Sequence, residues 1–488
     1  MNLTDIKNIN QDIYTLDTDI VRNAKMVFVS TLVFCTLNEN FRNPAKINET
    51  INFAGSANPI NDLVDLAKTE LAKLNLREKT YNAVSDSLDI IYGATNKLYK
   101  NRVALQNFVT DFVFNKMPEL STGNFPFFEM LYMEVDKKAK NNDKGITLTP
   151  RYAAKLMVEL SKLDYKKDVV ADLACGTGLF SLLAFEEMSK QLENDKKNLS
   201  DEEYNFYKKR LVNSIVANDY EAKMVTLCLA NFILKGLNPK LIFNEDVFDM
   251  NKYDFKYLDG ETEIELKPTK CILNPPYEDS YRPVEIVKKS IELVKGNSDD
   301  IKEKVVVICP AKKFAKKKDE FKKILNLARL DSVIKMQDDL FVESGQSPST
   351  CIFVFDISRD HSKNDIVRFY DFSDSGFVYL KDSGMVDKNK THEAKKAALL
   401  DKIDNVPFEE SSFVRGWNNF YEVSGETVLY AKIDPDKVRI NDEEADVSFE
   451  NITVKKMLKE KKELLSKCNE VYKDDGTFEK YLTNLLSE

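Results

Sequence analysis

Seven short runs rich in β-branched and aromatic residues alternate with amphipathic helical segments in the middle of this 488-residue chain. Parallel strands need long crossover connections, which are usually helices. Alternation at this spacing therefore predicts an α/β fold with a doubly wound, mostly parallel sheet. The predicted strands cover residues 169–173, 214–217, 241–243, 270–273, 304–308, 332–336 and 350–355, and the predicted helices cover 179–188, 222–234, 284–294 and 312–330.

The sequence on either side of this alternating region has a different pattern. Residues 1–140 carry apolar residues at helical spacing and no glycine-rich turn, which predicts a helical N-terminal domain. Residues 141–380 form the predicted α/β domain, and residues 381–450 an extension of it. In residues 451–488 apolar pairs recur every seven residues. That spacing predicts a helical tail, which either packs on its own domain or docks a partner helix.

The composition narrows the chemistry and the compartment. Histidine occurs only at His361 and His392, which leaves little room for a histidine-based metal site or catalytic triad. The 7 cysteines are widely spaced without a Cys-x-x-Cys pair, so we expect reduced thiols and no structural metal. The longest apolar run, residues 26–37, is shorter than the roughly 20 residues that span a bilayer. The polar start has no signal-peptide pattern, so we expect a cytoplasmic protein.

A glycine turn follows the first predicted strand, and it contains Gly176 and Gly178. The two glycines let the backbone approach a ligand closely, and the helix that follows offers free N–H groups. Ser181 stands where the dinucleotide fingerprint has its third glycine, and the Gly-Lys-Ser/Thr of a P-loop is absent. The turn therefore predicts a ligand-binding loop that is neither of these two phosphate-binding motifs.

Three carboxylates stand at or just after the ends of successive predicted strands. Asp172 precedes the glycine turn, where it suits a cationic or amino-bearing ligand. Asp219 closes the second strand, where an acid can accept hydrogen bonds from both hydroxyls of a ribose, and Asp246 follows the third strand. Each acid alone is more often a helix cap or a solvated strand end. Because all three are expected at one edge of the sheet, together they predict a nucleoside pocket.

The fourth strand runs into the sequence Asn274-Pro275-Pro276-Tyr277. The two prolines stiffen the loop and restrict Asn274 to an extended backbone conformation. The side-chain oxygen of Asn274 and the carbonyl of Pro275 can accept both N–H bonds of an exocyclic amine, and Tyr277 can stack on a base. By itself the tetrapeptide is more often a stiffened turn, but after a glycine turn and three acids it predicts an amine-binding loop.

These elements resemble the class I S-adenosylmethionine-dependent methyltransferases, in their amino-methylating branch. Further segments are similar to those of the N6-adenine DNA methyltransferases, and in particular to the modification subunits of type I restriction-modification systems. The similar segments are Thr149-Pro150 followed by Leu156-Met157, Leu229-Ala-Asn231 with Gly236, Gln337-Asp-Asp-Leu-Phe341, and the stretch from Arg368 to Gly376-Phe377.

The resemblance implies a Rossmann-like domain with a seven-stranded sheet that binds S-adenosylmethionine and methylates N6 of an adenine flipped out of DNA. It implies that Asn274 and Pro275 hold the amine in a loop completed by Pro276. Tyr277 would stack on the base, and Phe341 is a weaker candidate for its other face. Cofactor contacts are implied for Thr149, Pro150, Asp172, Ala174, Cys175, Gly176, Thr177 and Gly178 around the methionine portion, for Asp219 at the ribose, and for Asp246 at the adenine amine.

The charge bears on how DNA is held. The formal net charge is −9, which argues against unaided binding to DNA. By resemblance, the partners are double-stranded DNA, a specificity subunit that supplies much of the grip and, in a complete system, a restriction subunit. We expect residues 451–488 to contribute to docking. Residues 311–323 carry seven lysines against two acids, and a solvated helix face explains them slightly better than a phosphate-contact patch.

Two other functions fit the same motifs. Release-factor glutamine methyltransferases also use Asn-Pro-Pro-Tyr, so a protein or RNA amino-methyltransferase is one alternative; those enzymes lack the long helical N-terminus and the Thr-Pro segment. A non-catalytic scaffold subunit is the other, although a scaffold has no need of an amine-binding loop. Transfer of labelled methyl groups to DNA, RNA or protein discriminates among the three functions.

Overall fold

The computed structural model describes most of the chain up to residue 405 and short pieces beyond it. The helical tail predicted for residues 451–488 and much of the extension predicted for 381–450 lie outside the described residues. The described residues are 3–16, 22–94, 101–122, 127–136, 148–298, 301–342, 349–380, 384–405, 413–414, 429–433 and 435.

Helices make up the regular structure described before residue 137. Helix α4 illustrates why they form: the Asn58 side chain accepts a hydrogen bond from the Ile60 N–H at 3.1 Å, Pro59 occupies the first turn, and the apolar face is buried. A π-helical turn, Phe112–Lys116, joins α6 to α7. These helices are α1 (Leu3–Leu16), α2 (Arg22–Cys35), α3 (Ile47–Thr50), α4 (Pro59–Ala72), α5 (Glu78–Ala94), α6 (Arg102–Asp111), α7 (Met117–Thr122) and α8 (Phe127–Asp136).

The remaining chain builds a sheet of ten strands within the described residues, in the order β13-β14-β10-β8-β9-β7-β6-β1-β2-β3. Two separate hairpins, β4–β5 and β11–β12, lie outside it. The strands are β1 (Val170–Asp172), β2 (Ile215–Asn218), β3 (Ile242–Phe243), β4 (Lys256–Asp259), β5 (Thr262–Glu265), β6 (Lys270–Leu273), β7 (Lys304–Pro310), β8 (Arg329–Met336), β9 (Thr350–Asp356), β10 (Ile366–Phe372), β11 (Val378–Leu380), β12 (Gly384–Val386), β13 (Phe413–Val414) and β14 (Leu429–Lys432).

All seven predicted strands are confirmed, and they are neighbours in the middle and on one side of the sheet. The sheet is larger than the seven strands expected, because β10 adds parallel to β8 and is followed by β14 and β13. Among the seven predicted strands, only β9 runs against its neighbours β7 and β8. The prediction of one helix over 312–330 is wrong: the helical segment breaks at Lys317 and ends at Leu325, and Leu330 lies in β8.

Helices cover both faces of the sheet, which is why β1 is buried throughout. Side chains alternate along β1, so Val170 packs in the core that contains α9, α10 and α12, whereas Ala171 packs in the core that contains α13 and α15. None of the described helices combines the length and apolarity that crossing a bilayer requires. These helices are α9 (Arg151–Ser161), α10 (Leu179–Asp195), α11 (Asp201–Val212), α12 (Ala222–Lys235), α13 (Pro283–Val294), α14 (Ala311–Lys316), α15 (Lys318–Leu325) and α16 (His392–Asn405).

The N-terminal helices pack against the edge of the sheet at β3. Helices α2 and α5 both contact α12, and the Thr80 hydroxyl on α5 donates to the Ile242 carbonyl at 3.1 Å. The Arg77 guanidinium lies 4.3 Å from the ring centre of Phe243, the last residue of β3. The helical domain therefore supports the strand that leads to Asp246.

The strand directions bring the predicted site residues to one edge of the sheet. Strands β1, β2, β3, β6 and β7 are parallel neighbours, and β8 and β10 run the same way because β9 reverses between β7 and β8. Ligands of open α/β sheets bind outside the carboxyl ends of the strands. Here those ends carry Asp172, Asp219, Asn274 and Gln337.

Candidate active site

The glycine turn after β1 has the backbone conformation that its sequence predicts. Gly176 and Gly178 have φ angles of +53° and +88°, in the left-handed region that favours glycine. A Cβ atom added to Gly176 would meet nothing within 4 Å, so the outer side of the turn is open. A Cβ added to Gly178 would lie 2.9 Å from the Cys228 sulfur. Gly178 therefore allows α12 to pack closely, and Gly176 leaves space for a ligand.

Polar contacts from the neighbouring elements hold this turn in place. The Cys175 N–H donates to the Asn218 carbonyl at 2.9 Å, and the Gly176 N–H donates to the Asp219 carboxylate at 2.8 Å. From α12, the buried Asn231 side chain donates to the Thr177 carbonyl at 2.8 Å. Asn231 belongs to a segment that the resemblance included, but its contact joins residues 54 positions apart and was not predicted.

Substituting Gly178 by alanine should destabilise the protein more than the same substitution at Gly176. At Gly178 the new Cβ meets the Cys228 sulfur and φ is left-handed, so we expect a loss of about 2–4 kcal/mol in the free energy of unfolding. At Gly176 only the backbone strain applies, about 1–2 kcal/mol. Chemical denaturation of both variants measures the difference, and equal losses would contradict the close packing of α12.

Asp172 and Asp219 stand side by side at the ends of β1 and β2. Asp172 is fully buried, and its Oδ2 accepts from the Ser181 hydroxyl at 3.4 Å. Its Oδ1 has no hydrogen-bond partner among the described residues. Burial, with the neighbouring charge of Asp219, raises the pKa of Asp172 well above its ordinary value. A buried carboxyl group that carries one unused oxygen is a site for a hydrogen-bond donor or a cation.

Asp219 is held by two backbone N–H groups. Besides Gly176, the Glu221 N–H donates to it at 2.9 Å. Burial raises the pKa of Asp219 to about 6, although both of these hydrogen bonds lower it. A carboxylate offers about four lone-pair sites, so the two N–H bonds leave Asp219 able to accept from further hydroxyl groups.

Asp246 occupies a tight turn after β3. Its Oδ1 accepts from the Phe248 N–H at 3.0 Å, and the side chain is half-buried. The preceding residue, Glu245, forms an ion pair with Lys79 at the start of α5. Glu245 also exchanges two hydrogen bonds with the Asn218 side chain, at 3.0 and 3.1 Å. The N-terminal helices thus help to fix the loop that carries Asp246, which sequence patterns did not predict.

The Asn274 amide follows the last residue of β6, and it is held by a residue to which the sequence pattern did not link it. Its Nδ2 donates to the Thr149 hydroxyl at 2.9 Å, and both residues are buried. Thr149 is followed by Pro150, which caps the first turn of α9 through hydrogen bonds to its carbonyl. With the nitrogen bonded to Thr149, the carbonyl oxygen lies on the other side of the amide. Thr149 therefore orients Asn274, a role that adds to the cofactor contact expected of it.

Tyr277 and Phe341 lie together at this edge. Both are buried, with ring centres 5.5 Å apart and ring planes at 89°. The two rings touch edge to face, so in this conformation they do not form two parallel walls around a base. Burial also raises the pKa of Tyr277 well above its ordinary value, so the phenol is neutral. The structure thus brings the two predicted stacking residues together in a perpendicular contact.

The remaining predicted residues lie in the glycine turn after β1 and in the proline loop after β6. Ala174 is half-buried in it, and Pro276 is half-buried between Pro275 and Tyr277. The Cys175 thiol is buried, and burial raises its pKa well above the ordinary value. A buried thiol of raised pKa is a poor nucleophile, so the chemistry available here is hydrogen bonding and charge rather than covalent attack.

The comparisons with known proteins agree with this geometry. Residues 127–305 match the N-6 DNA Methylase family. Among curated proteins, the chain is similar to the type II restriction enzyme and methyltransferase RM.BcgI of Heyndrickxia coagulans, with 29% identity over 344 residues. That alignment covers 66% of this chain and 47% of the relative, so the chain spans about half the length of the curated relative it matches.

Two solved structures show the same fold over almost the whole chain. One belongs to a type I restriction-modification system, with a TM-score of 0.57 and 13% identity, and the match covers 95% of this chain and 96% of that one. The other is described as a modification subunit of a type I restriction enzyme from Vibrio vulnificus YJ016, with a TM-score of 0.53 and 16% identity over 89% of this chain and 95% of that one.

The chain shares the fold of these two structures, a mostly parallel α/β sheet with a helical region before it, as the sequence predicted. Residues 127–305 match the N-6 DNA Methylase family, and the curated relative is a restriction enzyme and methyltransferase. The resemblance to N6-adenine DNA methyltransferases is thereby confirmed.

Proposed function

We propose that this protein is a site-specific DNA methyltransferase that transfers a methyl group from S-adenosylmethionine to N6 of an adenine flipped out of the duplex. The observation that carries the proposal is the buried Asn274 amide, fixed by Thr149 at 2.9 Å on the sheet edge that also holds Asp172 and Asp219. An amide carbonyl in that position suits an exocyclic amine. The match of residues 127–305 to the N-6 DNA Methylase family supports adenine as the substrate.

The residues at the glycine turn fit S-adenosylmethionine. The unused Oδ1 of the buried Asp172 suits the α-ammonium group of the methionine portion, and the open side of Gly176 leaves room for close approach. Asp219 retains acceptor capacity for the ribose hydroxyls, and Asp246 lies on the next strand end for the adenine amine. The bound cofactor supplies an electrophilic methyl group. The other proposed contacts are Thr149, Pro150, Ala174, Cys175, Thr177 and Gly178.

The protein then has to present an adenine amine and orient its lone pair. The duplex hides N6 from a buried site, so the base must be flipped out. Asn274 and the Pro275 carbonyl accept the two N–H bonds of the amine, and Pro276 keeps the loop rigid. As N6 attacks the methyl carbon, whose bond to sulfur breaks with the electron pair left on sulfur, N6 becomes tetrahedral and positively charged; these two oxygens would stabilise that charge until N6 loses one proton to solvent. Alignment and electrostatics therefore supply the rate gain, without a covalent enzyme intermediate.

Stacking of a base between Tyr277 and Phe341 requires a rearrangement of the base pocket. The two rings are perpendicular and in contact, so a base can lie flat between them only if they separate and turn parallel. Phe341 follows Gln337, which accepts a hydrogen bond from the Ser375 hydroxyl and donates to Asp339 at 2.7 Å. We propose that Phe341 moves from its contact with Tyr277 to the opposite face of the flipped base.

The proposed partners are double-stranded DNA and a separate specificity subunit, with a restriction subunit in a complete system. The fold shared with a modification subunit of a type I enzyme supports this assembly. The net charge of −9 supports it as well, because an acidic chain gains from a partner that supplies positive charge and sequence reading.

A methyl-transfer assay tests the proposed substrate. The full chain, with tritiated S-adenosylmethionine and with the products of neighbouring genes, should label DNA from a methylation-free host and leave RNA and release factors unlabelled. Label that appears only in RNA or in a release factor would assign the protein to the alternative class of amino-methyltransferases. Absence of cofactor binding would instead favour a scaffold.

A further inference from the structure

A cluster of lysines lies beside the loop that follows Tyr277. Strand β7 is the parallel neighbour of β6, so α14 begins at the same edge at which Asn274 lies. From α14, the Lys313 ammonium donates to Asp279 at 2.6 Å, and Asp279 stands two residues after Tyr277. Lys313 thus ties the lysine-rich helix to the proposed amine-binding loop.

Two further lysines stand close to the same carboxylate. The hydrogen bond from Lys313 lowers the pKa of Asp279 below its ordinary value, and the charges of Lys316 and Lys317 lower it further. We call these three residues, Lys313, Lys316 and Lys317, the lysine rim. Its positive charge exceeds what Asp279 can neutralise.

The outer lysines of the rim are available to a partner. Lys316 is exposed and forms no ion pair within the part of the chain that the structure describes. Lys317 is exposed and its ammonium lies 3.4 Å from the half-buried Glu285 carboxylate, and an ion pair with an exposed partner at that distance is weak. The Lys313 side chain is largely buried against Asp279 and is better suited to positioning. Lys316 is therefore available to an anionic partner, and Lys317 becomes available by giving up its weak contact with Glu285.

We propose that Lys316 and Lys317 contact the phosphates of the DNA strand that carries the target adenine; this rests on the proposed function. A flipped nucleotide stays attached to its neighbours on both sides, so its backbone must lie at the lip of the pocket that receives the base. Phosphate contacts position the strand without reading sequence. The sequence alone slightly favours a solvated helix face for residues 311–323, and the position of the rim beside Tyr277 reverses that preference.

The salt dependence of DNA binding tests this inference. The full chain, assembled with the products of its neighbouring genes and with bound S-adenosylmethionine, would be titrated with a short labelled duplex at several salt concentrations, as the wild type and as the double variant Lys316→Ala/Lys317→Ala. Each phosphate contact adds about 0.9 to the slope of log affinity against log salt. Loss of two contacts should lower the magnitude of the slope by about 1.8, so the affinity advantage of the wild type over the variant should shrink about tenfold when the salt concentration rises fourfold.

A matched double variant keeps the test specific. Lys208 and Lys209 are exposed on α11, near the start of β2. They lie at the amino ends of the parallel strands, away from the carboxyl ends that carry the proposed site. Lys208→Ala/Lys209→Ala removes the same charge and should leave the slope almost unchanged. Equal effects of the two double variants on the slope, or no effect of either, would contradict the proposal that the lysine rim contacts DNA phosphates. So would loss of stability in the rim variant with normal DNA binding, which would assign the lysines to the helix end alone.

The outcome is separable from a failure of the proposed function. If the wild-type complex with the products of the neighbouring genes neither binds nor methylates DNA even at low salt, both the function and the rim are contradicted. If the wild type binds DNA and the rim variant binds with the same slope, only the rim is contradicted. Calorimetric cofactor affinity should be the same in all three proteins, because neither pair of lysines lies at the glycine turn.

Discussion

Replacing Asn274 by alanine should abolish detectable methyl transfer while cofactor binding survives. The amide oxygen is one of the two acceptors proposed to hold N6 and to stabilise its positive charge. Removing one preorganised group of this kind costs about 10²–10³-fold in rate. The glycine turn and Asp172, which carry the proposed cofactor contacts, belong to β1 and the loop after it, whereas Asn274 follows β6, so the cofactor contacts should be unaffected. Transfer of tritiated methyl groups measures the rate, and calorimetry measures the cofactor affinity.

Two further variants make this result interpretable. Asn213→Ala removes a hydrogen-bonded amide at the opposite edge of the sheet, where it bonds to Lys209 and Asn238, and should leave transfer unchanged. Thr149→Val keeps the shape of the side chain but removes the acceptor for the Asn274 nitrogen. If Thr149 orients the amide, this variant should lower the rate about tenfold with little change in stability beyond about 1–2 kcal/mol. Undiminished methylation by Asn274→Ala would contradict the assignment of the site.

Cofactor affinity should fall as pH falls through about 6, because Asp219 is proposed to accept from the ribose hydroxyls in its ionised form. Burial raises the pKa of Asp219 to about 6. The carboxylate is therefore mostly ionised at pH 7 and mostly protonated at pH 5, which lowers affinity about tenfold between these two values. Calorimetry across this window measures the effect.

The same titration should act on stability in the opposite direction. The folded pKa lies above the unfolded value of about 3.9, so the folded protein binds the proton more tightly than the unfolded chain. The contribution of Asp219 to stability is therefore present at low pH and is lost as pH rises through 6. Cofactor affinity and the stability of the cofactor-free protein should thus move against each other over this range.

The Asp219→Asn variant isolates this group from its neighbour Asp172, whose pKa burial also raises. The amide oxygen can still accept from the Gly176 N–H, so the glycine turn should keep its conformation. Affinity at pH 8 should fall about 10–100-fold, since hydrogen bonds to a charged group contribute about 1.5–3 kcal/mol. The tenfold pH dependence should also be reduced. An unchanged affinity at pH 8 would remove Asp219 from the ribose site.

Local sequence patterns were sufficient to predict seven strands of the sheet, but not to predict where the sheet ends. The seven predicted strands are runs of β-branched residues bounded by turns, and such runs favour the β-strand conformation. Strands β13 and β14 have no comparable signal, and they join the sheet through the pairing of β14 with β10 and of β13 with β14. The predicted helix over 312–330 failed since apolar residues continue past Leu325, first in a turn and then in β8. The spacing of apolar residues cannot distinguish a helix from a turn followed by a strand in a short segment.

The candidate site also has one part that could be predicted from the sequence and one part that could not. Residues at strand ends, such as Asp172, Asp219 and Asn274, could be predicted because parallel strands bring their carboxyl ends to one edge. The contacts that fix them could not, because each joins residues far apart in sequence. Thr149 meets Asn274 across 125 positions, and Asn231 reaches the glycine turn across 54. The perpendicular contact of Tyr277 with Phe341 depends on packing between two loops, which no local pattern encodes.

Mapping of N6-methyladenine in the DNA of a methylation-free host tests the central claim most directly. The full chain would be expressed with its neighbouring genes, as the wild type and as Asn274→Ala. We expect methylated adenine at one defined sequence with the wild type, and none with the variant although its cofactor affinity is normal. Methylation-free DNA with the wild type, or the same methylation with Asn274→Ala, would contradict the claim that this site methylates adenine in DNA.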